Sequence, residues 1–287
     1  MRFVNFKSPA AFLDRTADFL EGNEAVNNLL LGLSSLLLQR EVQRERITES
    51  FFAVEDRGGR LILTILLTDK NLIIYGEGME CETAAQLAAF EIARSGLHVP
   101  GVVGPTEISE LFAREWASLT NKDAYVKMHQ KIYRLDQVNP VRRSSGYIRK
   151  AELSDLPVVS EWLYDFSNSI LADSITREES TIKMQQFIGD STLYLWVDQV
   201  PVAMAKKARP TKNGTVVTYV YTPPRLRNKG YATSCVASLS QLLLNEGNSF
   251  CSLYTDLSNP TSNRIYQQIG YYPIQDSVMY RFKERDL

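Results

Sequence analysis

The stretch from Thr215 to Thr233, TVVTYVYTPPRLRNKGYAT, places a basic, glycine-bearing turn between a β-branched run and a helical pattern. Val216 to Thr222 has the composition of a buried strand, and Pro223 and Pro224, which lack backbone donors, end it. From Ala232 the apolar positions Ala232, Cys235, Val236, Leu239, Leu242 and Leu243 recur at helical spacing, and Gly247 stands where a stop is expected. Between strand and helix, Arg227, Asn228, Lys229, Gly230, Tyr231, Ala232 and Thr233 bring two cations and a glycine to the unpaired amides of a helix N-terminus. Those amides carry the positive end of the helix dipole, and a glycine lets a ligand approach the backbone closely. The chemistry is anion binding.

Nucleophilic catalysis finds less support. No Ser/His/Asp or Cys/His constellation accompanies the turn. Cys81, Cys235 and Cys251 are scattered, and His98 and His129 are remote from them, which argues against a disulfide framework and against a metal site. Cys235 falls on the apolar stripe of its helix and Cys251 at the start of a buried strand, so both read as core. The candidate general bases are carboxylates: Asp256, at a strand end leading into the Asn259 turn, or Glu161 and Asp165 on the first helix of the same half. Asn259 precedes Pro260 and fits a helix N-cap with proline at the first helical position.

The R-x-x-G-x-A pattern of Arg227, Gly230 and Ala232 resembles the pyrophosphate-binding motif of the GNAT superfamily, the acetyl-CoA-dependent N-acyltransferases. Downstream, Asn259, Ser262, Tyr266, Gly270 and Tyr271 look like that family's second signature, N-x-x-S-x-x-x-Y-x-x-x-G-[FY]. The resemblance implies that acetyl-CoA is the co-substrate, with Arg227 to Thr233 around its pyrophosphate. It implies a strand splayed from its neighbour, so that Val220, Tyr221 and Thr222 pair with the pantetheine arm; Asn259 can contact the same arm. It makes Tyr266 the general acid that protonates the departing thiolate. The acetyl group then passes directly to a primary amine of a small molecule or peptide. Acidic residues in the covering segment (Asp155, Glu161, Asp165, Asp173, Glu178 and Glu179) point to a cationic acceptor, and they fit solvated helix faces equally well.

The chain of 287 residues is long for one average domain and suits two. With 44% hydrophobic and 23% charged residues it has a globular composition, and a formal net charge of -1 argues against nucleic acid as a partner. The run from Leu29 to Leu38 is interrupted by Gly32, Ser34 and Ser35 and falls short of the about 20 residues that span a bilayer. It reads as a buried amphipathic helix, so no membrane partner is expected. The start of the chain lacks a signal-peptide core, and the expected location is cytoplasmic.

The two halves read as the same succession of elements. The first gives two helices, three strands, a helix, a short strand, a helix and a strand. The second gives two helices, three strands, a helix, a strand, a helix and strands over 274–283. The expected fold is therefore α/β, a mixed sheet in each of two GNAT-like domains in tandem, 1–138 and 146–287, joined by a polar linker, Val138 to Gly146. Where the second half has RLRNKGYA, the first has Tyr75-Gly76-Glu77-Gly78-Met79-Glu80-Cys81-Glu82, whose carboxylates would repel a pyrophosphate. The first half reads as a copy that has lost cofactor binding. From another function class, a non-catalytic acyl-CoA sensor or interaction protein fits the same features.

Overall fold

The computed structural model describes residues 1–168 and 174–285. In chain order the first stretch forms β1 (Arg2–Phe6), α1 (Pro9–Glu21), α2 (Asn28–Val42), β2 (Ser50–Glu55), β3 (Leu61–Leu67), β4 (Leu72–Gly76), α3 (Cys81–Arg94), β5 (Gly101–Pro105), α4 (Thr106–Thr120) and β6 (Lys122–Leu135). The second forms β7 (Tyr147–Lys150), α5 (Leu156–Phe166), α6 (Arg177–Gly189), β8 (Leu193–Asp198), β9 (Val200–Ala208), β10 (Gly214–Tyr221), α7 (Tyr231–Asn245), β11 (Phe250–Asp256), α8 (Pro260–Ile269) and β12 (Tyr272–Glu284). Two compact units result: Met1–Tyr133 with Tyr254–Asn259 and Pro273–Leu287, and Arg134–Leu253 with Pro260–Tyr272. This division differs from a single cut between residues 138 and 146, because the last strand pairs with the first unit. Ser277 to Arg281 of β12 run antiparallel to Pro105 to Gly101 of β5.

In the first unit β1 to β4 are antiparallel neighbours and β4 runs parallel to β5, as an α3 crossover requires. Its central strands are apolar at almost every position because both faces are covered. Successive residues alternate between two cores. Ile65 and Ile74 face the α3 and α4 side with Ala85, Ala88 and Phe112, whereas Leu66 and Ile73 join Phe12, Leu20 and Leu30 of α1 and α2. No helix among the described residues is long and apolar enough to cross a membrane.

The second unit orders β7, β8, β9 and β10 as antiparallel neighbours and sets β11 parallel to β10. Trp162 and Leu163 of α5, Met184 and Ile188 of α6, and Leu193, Leu195 and Met204 of the sheet form one core. Helix α7 packs on β8, β9 and β10. The segment expected to be a linker is tied down instead. Ser144 N donates to Ser234 Oγ at 2.8 Å, Arg143 bonds the Ser238 hydroxyl, and Trp196 Nε1 donates to Ser145 O at 2.8 Å. Gly146 has φ +108°, and a Cβ there would collide with Val197 O, so glycine is needed for this close approach.

Arg149 of β7 grips Asp155 with two N–H donors at 2.7 and 2.9 Å, and the Glu152 amide adds a third at 2.8 Å. Burial opposes the Asp155 charge, but Arg149 and the amide outweigh it and hold the carboxyl below its ordinary range. Asp155→Asn should therefore cost about 2 kcal/mol at neutral pH. Because the folded-state value is depressed, this stability is present above the ordinary carboxylate pKa and is lost as pH falls through the folded one. Urea midpoints of the two proteins should differ at about pH 7, and the gap should narrow as pH falls below the ordinary carboxylate value of about 4; a gap that does not narrow in acid would refute the ion-pair account.

Candidate functional site

β10 breaks its pairing with β9 close to the turn. Thr218 opposes Lys206 and the next registered pair is Tyr221 with Met204, so β10 holds one residue more than β9 over this step. That is a β-bulge. Tyr219, within it, has φ +51°, a left-handed conformation unusual for a bulky residue. Aromatic packing holds it: the Tyr219 ring centre lies 5.2 Å from that of Phe187 and 5.9 Å from that of Phe166. On the other side, parallel register with β11 runs from Gly214 with Phe250 to Val216 with Ser252. Val217, Thr218 and Tyr221 are registered with β9, and among the described residues no registered pair with β11 follows Val216. Val220 and Tyr221 thus end a strand with one bonded flank. Thr222 Oγ1, the next side chain, is buried without a hydrogen-bond partner among the described residues. A buried hydroxyl in that condition is what a bound ligand would satisfy.

A short 3₁₀ turn over Pro224–Leu226 then redirects the chain. Asn228 (φ +63°) and Gly230 (φ +79°) are both left-handed, which an asparagine tolerates and a glycine adopts freely. The first helical bond runs from Ser234 N to Gly230 O at 2.9 Å, and no side chain caps α7. The amides of Tyr231, Ala232 and Thr233 therefore precede the helical ladder. Arg227 Nε donates to Thr222 O at 3.1 Å and fastens the basic turn to the strand end.

The turn is not purely cationic, because a carboxylate reaches it from β8. The Tyr231 hydroxyl donates to Asp198 Oδ2 at 2.8 Å, as does Ser145 Oγ at 2.8 Å. These two donors, with Lys229 nearby, keep Asp198 ionised below its usual range. Lys207 lies on β9 and faces Glu246 at 3.7 Å. The cations that serve the turn itself are Arg225, Arg227 and Lys229.

Tyr266 sits on the buried face of α8, 8% exposed, with its ring centre 6.0 Å from that of Tyr271. Tyr271 in turn bonds Ser240 of α7 at 2.8 Å, and α7 and α8 pack together. Burial pushes the Tyr266 phenol well above its ordinary value. Asp256 and Asn259 fall in the first unit. Asp256 Oδ1 accepts from Ser258 N at 2.8 Å, a local turn bond, and Asn259 immediately precedes α8 in the chain. Of the acidic residues thought to face an acceptor, Asp155 is held by Arg149, Glu161 pairs with Arg177, and Glu179 closes a capping box with Thr176. Asp173 lies outside the described residues.

Residues 198–280 match the family model described as FR47-like protein. Among curated proteins none matches the chain. Among solved structures, a tandem GNAT protein from the clavulanic acid biosynthesis pathway is similar at TM-score 0.59 and 13% identity, covering 100% of this chain and 99% of its own. A GNAT-family acetyltransferase from Colwellia psychrerythraea gives 0.58 and 12%, covering 99% and 100%. A Drosophila protein gives 0.68 and 11%, covering 99% of each chain. The chain has the tandem GNAT fold. The N-terminal GNAT-like unit handles its equivalent turn differently. β4 pairs regularly with β3 from Leu67↔Leu72 to Leu63↔Gly76, with no bulge. A Cβ on Gly104 of β5 would collide with Ile74 O, so these parallel strands stay in contact just past Ile73↔Val103. Beyond β4, Glu77 accepts from the Tyr75 hydroxyl and from Asn23 Nδ2, and Glu80 and Glu82 pair with Arg60 and Arg114. In the C-terminal GNAT-like unit, burial pushes the thiols of Cys235 and Cys251 to about 12, which leaves neither a nucleophile at neutral pH.

Proposed function

We propose that the second half of the chain, residues 146–287, is an acetyl-CoA-dependent N-acetyltransferase, and that the first half, residues 1–138, is a GNAT-like domain without cofactor binding. The observation that carries the reading is the bulged, one-flanked end of β10 leading directly into the uncapped start of α7. Backbone groups of Val220 and Tyr221 would pair with the pantetheine arm, and Thr222 Oγ1 would gain the partner it lacks. The amides of Tyr231, Ala232 and Thr233, with Arg227, Asn228, Lys229 and Gly230, would hold the pyrophosphate. Tyr266 would donate the proton taken up by sulfur. The acceptor would be a primary amine of a small molecule or peptide, and its neutral form would attack the thioester directly.

A non-catalytic acyl-CoA sensor is the second reading, favoured by Asp256, whose carboxylate is engaged by the Ser258 amide. Calorimetry with CoA, combined with an amine-array acetylation assay, separates the two. Turnover on any amine supports the enzyme; tight CoA binding with no turnover across the array supports the sensor. The same titration tests the first half. One CoA per chain is expected, and Glu77→Lys should leave that stoichiometry at one, since removing charge neither bulges β4 nor parts it from β5. A second CoA in the unmodified protein would overturn the degenerate-domain assignment.

A further inference from the structure

Lys206 of β9 lies directly opposite Thr218, the last regularly paired residue before the bulge. Its Nζ stands 4.4 Å from the centre of the Phe187 ring and donates to Lys207 O at 3.2 Å. Phe187 in turn packs against Tyr219, the left-handed residue of the bulge. A half-buried lysine amine is thus built into the aromatic cluster beside the strand end assigned above to the pantetheine arm. We propose that Lys206 is a site of self-acetylation, taking the acetyl group from acetyl-CoA bound on β10 and α7 of the same protein. The inference rests on the cofactor site argued under the proposed function.

Two features set this lysine apart from its neighbours. Burial, and then the repulsion of Arg209, draw its amine down to about 8, while Asp190 at the end of α6 works in the opposite direction. An amine so placed presents on the order of a hundredfold more free base at neutral pH than an ordinary lysine. Lys207, next in sequence, points to the other face of the strand and pairs with Glu246. It is the internal control. In the reaction the Nζ lone pair attacks the thioester carbonyl carbon, the N–C bond forms, and the C–S bond breaks with its electron pair going to sulfur. The proton lost by nitrogen ends on CoA as the thiol. The products are Nε-acetyl-Lys206 and free CoA, and the Phe187 ring then faces a neutral amide in place of a cation.

The test uses the full chain. Peptide mass spectrometry would quantify acetylation at Lys206 and Lys207 after incubation with acetyl-CoA or with acetyl phosphate, a donor without the CoA handle. Calorimetry with CoA runs alongside. Acetyl-CoA should modify Lys206 about tenfold or more above Lys207, and Gly230→Asp or Arg227→Glu should lower that signal by a similar factor while leaving the acetyl phosphate reaction unchanged. Lys206→Arg should remove the adduct without altering CoA affinity. If the protein binds CoA and Lys206 stays unmodified, or if it is acetylated equally in both site variants, self-acetylation is overturned and the cofactor site stands. If CoA does not bind at all, the cofactor site fails first and the inference goes with it.

Discussion

Gly230→Asp is expected to abolish CoA binding, with a loss of at least about a hundredfold in affinity. Two effects act together. The carboxylate would stand at the uncapped start of α7, where the amides of Tyr231, Ala232 and Thr233 and the side chains of Arg227 and Lys229 create the positive potential, and like charges beside a pyrophosphate repel strongly. The backbone adds strain. Gly230 has φ +79°, so any L side chain there costs about 1 kcal/mol even though an added Cβ finds only the Ser144 Cβ, at 4.0 Å. Gly230→Ala separates the two effects, because it carries the strain without the charge. It should lose about that much stability and keep measurable CoA affinity. A folded Gly230→Asp protein with unchanged affinity would remove the anion site, whatever Gly230→Ala did.

What the sequence disclosed and what it hid divide along the range of the interactions. The strand, turn and helix from Val216 to Leu243 were legible because each signal is local: β-branched residues, prolines, a glycine and a helical apolar spacing. The splayed end of β10 followed only from the family resemblance. The bulge at Tyr219 did not show in the sequence at all, since nothing about a tyrosine between Thr218 and Val220 announces a positive φ; its ring packs against Phe166 and Phe187, contacts from residues distant in the chain. The edge strands β1 and β7 were missed for a related reason. Their burial patterns, half-exposed throughout, carry no clean two-residue alternation. Non-local pairing also hid the return of β12 to β5, and with it the division of the chain into units that are not simple halves. Asp198 belongs in the same class. It stands 33 residues before Tyr231 in the chain, yet Tyr231 and Ser145 bring its carboxylate to the start of α7.

Tyr266→Phe is expected to lower turnover by about a hundredfold or more while leaving CoA affinity and stability nearly unchanged. The ring contributes packing, 6.0 Å from Tyr271 on the buried side of α8, and phenylalanine preserves that contact. Tyr266→Ala would not; it should cost about 3 kcal/mol, the usual scale for truncating a buried aromatic. In the proposed reaction the hydroxyl would contribute the proton. Burial raises its pKa, so the phenol stays protonated through neutral and moderately alkaline pH and is ready to donate to a departing thiolate across the whole working range. The sign of that shift gives a second readout. A catalytic acid with a raised pKa produces no alkaline fall in turnover until pH passes above about 10, the ordinary tyrosine value. The Phe variant should be slow at every pH below that point, and by a constant factor. Helix α8 packs on α7, so the phenol and the turn that would hold the pyrophosphate belong to neighbouring helices of one unit. If a folded, CoA-competent Phe variant transfers acetyl groups to a confirmed amine at the unmodified rate, with chemistry rate-limiting, Tyr266 is a packing residue alone. The proton must then reach sulfur by another route, such as water.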